Sequence, residues 1–591
     1  PEYVQWLGKH LPKGAIVGMD GDLCTIGQYD RYSKILGKAD IGLDTRHDLF
    51  DSIWLDRPDV PLTDIYPHDI AYAGKSRKYK IADIQSVMSA SNANHHLICT
   101  LDDIAWIFNI RGSDVEFNPV AVAFAVISTD SATLFIDNHK VGTTLSEELT
   151  KDGVVLKPYN DIYNHLSSLP EDDTIRIEKE MTSVNLMSAI SCKIKYGTTI
   201  SKLMKGCKND VEIAHTRAVM AKDGAAIART FYWLDRSLST DGKVTEADVS
   251  SKLAYERSQM EHYVGESFPA IVGYRANGAI IHYRPMPETC ATLSAEDILL
   301  VDSGGQYLDG TTDITRTIAL GTPTREQKRN FTLVLKGNIA LSRMTFPRGT
   351  MGVQLDPLAR MHLWEYGLNY GHGTGHGVGF FLNVHEGPQG FTGMSSARGQ
   401  QEFLPGMITS NEPGYYKEGS YGIRIENLMV TVPAKYEGFL AFETVTLYPI
   451  DLKLIDETIF SKSERAWLNN YHHQVLNKVG PLLEGEIKEW FKLKWKKKIL
   501  EKYKKKEKVL LDANLLDYEV MRNIMEIEDT RTDERITYVE GPKGYNFITK
   551  KTRKNENKIA FCLYPVTTED LFAVADANLI MPPKSTWFEP R

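Results

Sequence analysis

Four acidic residues between positions 302 and 426 constrain this chain more than any other feature of it. Asp302 ends the apolar run ILLVD, just before Gly304-Gly305, and Asp313 follows in TTDITRT. Glu412 ends MITSNE and is stopped by Pro413-Gly414, while Glu426 lies within YGIRIENL. Side chains alternate along a strand, so Asp313, Thr315 and Thr317 share one face. Arg424 and Glu426 share a face in the same way, with Ile423 and Ile425 on the other. Two strands joined by a tight loop can bring such carboxylates to one point. Taken singly, each acid reads as an ordinary surface carboxylate. Taken with nearby histidines, they read as one site. Four buried carboxylates cannot all stay ionised together without cations, because desolvation and like-charge repulsion oppose it. Two divalent metals resolve the conflict, since carboxylates bridge hard or borderline ions and imidazole complements them. The oxygen-rich set favours manganese, or cobalt or zinc by availability, over a thiolate-type zinc site.

The histidines begin in GHGTGHGVG, residues 371–379. The stretch holds no lysine and does not match G-x-x-x-x-G-K-[ST], and His376 stands where a dinucleotide loop needs its third glycine. Gly373 replaces the glutamate of H-E-x-x-H, and each glycine costs a helix roughly 1 kcal/mol relative to alanine. His372 and His376 are therefore not expected on one helical face. The glycines instead let the backbone approach a crowded site in extended or left-handed conformations. His385 in NVHEGP and His282 in AIIHYRP are further imidazoles able to move protons near neutral pH.

The 591 residues allow two to four domains. Residues 1–47 read as the tail of a small α/β unit, and 48–208 as a second α/β pattern with strands at 96–100, 121–129 and 132–137. From Asn209 the pattern changes to long amphipathic helices at 211–235 and 246–260, the second opened by Thr245 as N-cap. Ile213, Val219 and Ala225 are inward candidates on the first. Beyond residue 290, strand-like runs alternate with a helical section over 324–346 closed by Pro347-Arg-Gly349. That mixture predicts an α+β domain with a curved antiparallel sheet flanked by helices. Residues 488–508 hold eleven lysines against three glutamates and read as a solvated junction, with a mixed α/β segment after it. A net charge of −8 gives no global drive toward nucleic acid or anionic membrane. No apolar run approaches the roughly 18 residues of a membrane helix. Six scattered cysteines without a C-x-x-C pair predict reduced thiols and a cytoplasmic protein.

IAWIFNIRGSDVEFNPV, IIHYRP, DSGGQYLDGTTDITRT, FPRGT, LARMHLWEYGLNYGHGTGHGVGFFLNVHEGP, NEPGYY and GIRIENL occur in this order. With them, the chain from about 48 to 495 resembles the three-domain Xaa-Pro aminopeptidases, also called aminopeptidase P. The resemblance implies α/β and α+β architecture. Residues 1–47 would be a remnant of an N-terminal creatinase-like domain, and 48–208 a second creatinase-like α/β domain. Residues 209–495 would form a pita-bread catalytic domain, and 496–508 a lysine-rich junction. It implies metal-dependent release of the N-terminal residue from peptides with proline second; the alternatives are a prolidase acting on X-Pro dipeptides and a non-catalytic pita-bread peptide-binding module. The implied ligands of two divalent ions, manganese first and zinc or cobalt next, are Asp302, Asp313, His376, Glu412 and Glu426. Asp313 and Glu426 would bridge, Asp302 would complete one ion, and His376 and Glu412 the other. Glu412 would also act as general base. His282 and His385 match substrate-side histidines, with His385 assisting proton transfer or stabilising the tetrahedral intermediate. His372 matches a histidine on the proline side, and Arg424 a support beside the bridging glutamate. A homodimer is implied as well. Residues 509–591 resemble the C-terminal part of an uncharacterised bacterial family carrying MPPKSTWFEP, a partial α/β segment to which no function attaches.

Overall fold

The computed structural model describes residues 2–48, 50, 53–240, 242–492 and 521. The chain separates into two units, Pro1–Ile487 and Lys488–Arg591, and the fold below is that of the first. The lysine-rich junction at 496–508 and, apart from Met521, the α/β segment at 509–591 lie outside the described residues.

At the start, strand Ile16–Gly18 pairs in parallel with Gly42–Asp44. Parallel pairing needs a crossover, supplied by helix Ile26–Gly37, which the Thr25/Gln28 capping box opens. Val4, Tyr32, Leu36 and Ile41 form its small core.

A six-stranded mixed sheet follows, in the order Lys193–Tyr196, Thr174–Ile177, His95–Ile98, Phe124–Ser128, Ala132–Phe135, Val154–Lys157. The three runs read as strands in the sequence are among its inner members. Their side chains alternate as period two demands. Leu97, Val126 and Phe135 meet Ile162, Leu166 and Leu186 on one face. Ile98, Ala125 and Leu134 meet Ile84 and Met88 of helix Arg77–Ala90 and Ile104 of helix Leu101–Phe108 on the other.

From Asn209 the architecture changes. Helix Asp210–Ser239 starts on a capping box of Asn209 and Glu212. Val219 and Ala225 are buried, but Ile213 is only half-buried, and Glu212 and Thr216 are buried on its inner side instead. Both polar groups bring their own partners: Asn209 N–H donates to Glu212 Oε2 at 2.9 Å, and Thr216 Oγ1 donates to Glu212 O at 2.8 Å. Helix Glu246–Ser258 carries the Thr245 cap, with Asp248 completing its box. The helix in the 324–346 section ends earlier than expected, at Ser342. Thr345–Pro347 is an edge strand paired with Phe439–Thr444, a place where proline's missing N–H costs no ladder bond.

Two antiparallel sheets carry the acids. One is three-stranded, Ile271–Tyr274, Ile298–Ser303 and Ile314–Ala319. The other is six-stranded, in the order Thr345–Pro347, Phe439–Thr444, Asn427–Pro433, Ile408–Asn411, Gly375–Gly377, Glu386–Phe391. Phe346, Phe391, Phe403 and Phe442 form an aromatic core between the second sheet and helix Gly352–Trp364. One buried ionic knot ties this part to the preceding α/β region. Glu386 accepts from Lys205 Nζ at 2.6 Å and from Lys208 Nζ at 2.5 Å, all three side chains being nearly inaccessible to solvent. Burial pushes the Glu386 carboxyl up, but the two ammonium groups outweigh it and hold its pKa below the usual value.

Candidate metal centre

Asp302 lies in the middle strand of the three-stranded sheet, opposite Thr315. Asp313 stands immediately before that partner strand. Glu412 follows Ile408–Asn411, and Glu426 sits between Tyr421–Arg424 and Asn427–Pro433. Helix Arg325–Ser342 fixes the last two acids through Asn338, whose Nδ2 donates to Asn411 O at 2.8 Å and Ile425 O at 3.1 Å. These are the carbonyls directly preceding Glu412 and Glu426. His376 lies in strand Gly375–Gly377, which is extended; no residue of 371–379 has a left-handed backbone. Gly375 and Gly377 are needed for closeness. A Cβ on Gly375 would sit 1.9 Å from Ser410 O, and one on Gly377 2.3 Å from Glu386 O.

Atoms of Asp313, His376 and Glu426 all lie within 4.8 Å of one another. Glu412 Oε1 stands 3.4 Å from His376 Nε2, and Asp313 Oδ2 3.5 Å from it. These are not ion pairs. His376 Nδ1 lies 3.0 Å from Gly377 O, so the hydrogen is assigned to Nδ1 and Nε2 faces the acids as a bare lone pair. Burial, then His385, pushes the imidazole pKa down to about 3, so the ring is neutral. A lone pair facing carboxyl groups is satisfied by a proton that one of them keeps or by a cation that they share.

Two orphaned oxygens point the same way. Asp302 Oδ2 accepts from Arg424 Nη2 at 2.6 Å and Glu426 Oε2 from Thr315 Oγ1 at 2.9 Å. Their twins, Asp302 Oδ1 and Glu426 Oε1, are buried without a partner. A donor set of carboxylate oxygens and one imidazole, with no thiolate, fits manganese, cobalt or zinc.

Burial and mutual repulsion act on the carboxyls. Burial, then Glu426 and Asp302, holds the Asp313 pKa well above its usual value. Burial, then Glu426, does the same for Glu412. Glu426 is pushed up to about 8 by burial and by Asp302. Each group keeps its proton to higher pH in the folded chain than in the unfolded one, so the folded chain binds more protons across that window. The stability that these three carboxyls contribute to chelator-treated protein is therefore full below about pH 4.5, the ordinary Glu value, and is lost as pH rises through about 8. Its melting temperature is expected to fall across that range, and saturating divalent ion to remove the fall. A chelated protein whose melting temperature stays level from pH 4.5 to 8 contradicts this account.

The expected substrate-side histidines surround this group. The His385 ring packs edge-to-face against His376 with centroids 4.3 Å apart and is open to solvent on its other side. Burial against its neighbours, then Arg398, lowers its pKa. His282 is exposed and lies near enough to influence both His372 and His385. His372 is half-buried; its Nδ1 lies 2.7 Å from Gly373 O and its Nε2 2.9 Å from Tyr416 OH. Burial, then Arg424, pushes its pKa down to about 4. Tyr416, which sequence reasoning missed, also accepts from Arg424 Nη1 at 2.7 Å. A hydrogen-bonded row thus runs from Asp302 through Arg424 and Tyr416 to His372. The second tyrosine of NEPGYY carries no motif that could have announced it.

Family models match three stretches of the chain: Creatinase/Prolidase N-terminal domain at 56–212, Metallopeptidase family M24 at 214–433, and C-terminal region of peptidase_M24 at 438–497. A probable Xaa-Pro aminopeptidase P of Arthroderma gypseum is 39% identical over 510 residues, 82% of this chain and 79% of that protein. One of Laccaria bicolor is 39% identical over 511 residues, 83% of this chain and 79% of its own length. Among solved structures, X-prolyl aminopeptidase from Caenorhabditis elegans, described as a cytosolic enzyme with a di-nuclear active site, is similar with a TM-score of 0.78. It is 33% identical and is matched over 83% of this chain and 82% of its own. Dipeptidase PepE from Mycobacterium ulcerans, at 22% identity and a TM-score of 0.52, shares the fold.

Proposed function

The chain belongs to the Xaa-Pro aminopeptidase P family of the M24 metallopeptidases, and from that premise we propose that it releases the N-terminal residue from peptides with proline in second position. The observation that carries the reading is the neutral His376 lone pair turned toward two carboxylates, beside two buried carboxylate oxygens without partners. Asp302, Asp313, His376, Glu412 and Glu426 would hold two divalent ions, manganese first. When bound, the ions would polarise the scissile carbonyl and lower the pKa of a water molecule.

The rest falls to the chain. Glu412, its Oε1 held by Ser410 Oγ at 3.2 Å, takes the proton from the attacking water and returns it to the departing proline nitrogen. That nitrogen has no hydrogen of its own before cleavage, so a returned proton is indispensable. His385 assists that proton transfer and, with His282, donates toward the carbonyl oxygen as charge develops there. His372 lines the side that receives the proline ring, a shape a general peptide site does not offer. Arg424 holds Asp302 in place with a short, charge-assisted bond. The C. elegans neighbour's description as cytosolic supports the same location for this chain, and a homodimer belongs to the same reading.

Comparing Arg-Pro-Pro with the dipeptide Gly-Pro tests the proposal. Release of arginine from the tripeptide is expected, dependent on added divalent ion after dialysis against chelator. Cleavage of the dipeptide alone assigns the chain to the prolidases instead. A folded protein that retains no divalent ion and cleaves neither is a binding module.

A further inference from the structure

The segment that carries His385 is gripped from outside its own domain. Arg111, at the end of the α/β region's helix-to-strand corner, donates from Nε to Phe381 O at 2.6 Å and from Nη2 to Phe380 O at 3.1 Å. The guanidinium is itself pinned, donating from Nη1 to Ala105 O at 3.1 Å and Ile110 O at 2.9 Å, and is only 2% exposed. Asp102 Oδ1 accepts from Asn383 N–H at 3.3 Å, and Asn383 Oδ1 accepts from His385 N–H at 2.9 Å. Lys205 and Lys208 close on Glu386, the next residue.

Phe381 supplies an independent observation. Its φ is +49°, a left-handed conformation that a bulky side chain rarely takes. Such backbone persists where the surroundings over-determine it, and it concentrates at functional sites. Here the carbonyls on both sides of that strained turn end on one arginine. Release of the grip would let the turn relax and would shift the three residues that lead to His385.

We propose that Arg111 is a positioning residue for the hydrolytic reaction: it holds the Phe380–Phe381 turn and so sets the His385 ring against the site. The inference rests on the reading of His385 as the group that assists proton transfer. A displacement of about 1 Å at a catalytic group costs on the order of 10²-fold in rate. The Arg111→Lys variant, which keeps the charge and loses the fork, is therefore expected to lower kcat on Arg-Pro-Pro by about 10- to 100-fold. KM and bound divalent ion per chain should stay at wild-type levels. In a His385→Ala background the same change should lower kcat no further, because both act through one group.

The outcomes separate the layers. Wild-type kcat in His385→Ala overturns the underlying reading, and the inference with it. A reduced kcat in His385→Ala beside wild-type kcat in Arg111→Lys overturns the positioning role alone. So does a double variant in which the two losses multiply, or a rise in KM or loss of metal that accounts for the change. If Arg111→Lys fails to fold, Asp102→Ala on the half-exposed first turn of helix Leu101–Phe108 decides. It is expected to lower kcat about threefold and to lose that effect in the His385→Ala background, while additive losses overturn the proposal.

Discussion

With glutamine at position 412, turnover of Arg-Pro-Pro is expected to fall by about 10⁴-fold or more, the upper range for a lost general base. Two functions go at once, an anionic donor to the metal pair and the group that carries the proton from water to the proline nitrogen. The fold should survive. Burial already favours the protonated, uncharged form of Glu412, and an amide imitates that form in shape and charge. Ser410 Oγ can still donate to the oxygen that remains. The measurement is kcat/KM with metal content and a melting curve beside it. Wild-type activity in this variant removes Glu412 from the mechanism; an unfolded variant removes the claim that glutamine imitates it.

His385→Ala is expected to act on kcat alone, by about 10²- to 10⁴-fold, the usual worth of acid–base assistance. Its ring touches the His376 ring but lies outside the compact group of Asp313, His376 and Glu426. Bound divalent ion per chain should therefore stay constant. If metal content falls with activity, His385 is a ligand and its assignment to proton transfer is wrong.

Much of this site could be read in the chain because its acids are marked locally. Asp302 closes an apolar run and Glu412 is stopped by Pro413-Gly414, and a strand's period of two tells which neighbours share a face. Helix starts were readable for the same reason: Thr245 and Asp248 lie three residues apart and satisfy each other without help from the rest of the molecule. What could not be read depends on partners far along the chain. Asn338 holds carbonyls 73 and 87 residues away, and Arg111 reaches a carbonyl 270 residues away. Neither has a spacing that declares such a role. The two histidines of the glycine stretch differ through the bonds that each ring makes. Both tie Nδ1 to a carbonyl, yet one turns Nε2 to Tyr416 and the other to acids. Gly375 and Gly377 stand at a crowded wall in an extended strand, one of the two conformations that the sequence leaves open, whereas a Cβ on Gly371 would meet nothing.

The knot of Lys205, Lys208 and Glu386 bears on how such a protein can be divided or inherited. Its parts come from either side of the change in architecture at Asn209, 181 and 178 residues apart in the chain. A catalytic half cut free at that point would carry Glu386 into its interior with no counter-charge, and stranding one member of a buried pair typically costs about 3–5 kcal/mol. The half left behind would expose two lysines shaped for a partner it no longer has. The two regions are thus not exchangeable modules joined by a tether. A recombination that brought in a new N-terminal half would have to bring both cations with it, so the halves are bound to travel together.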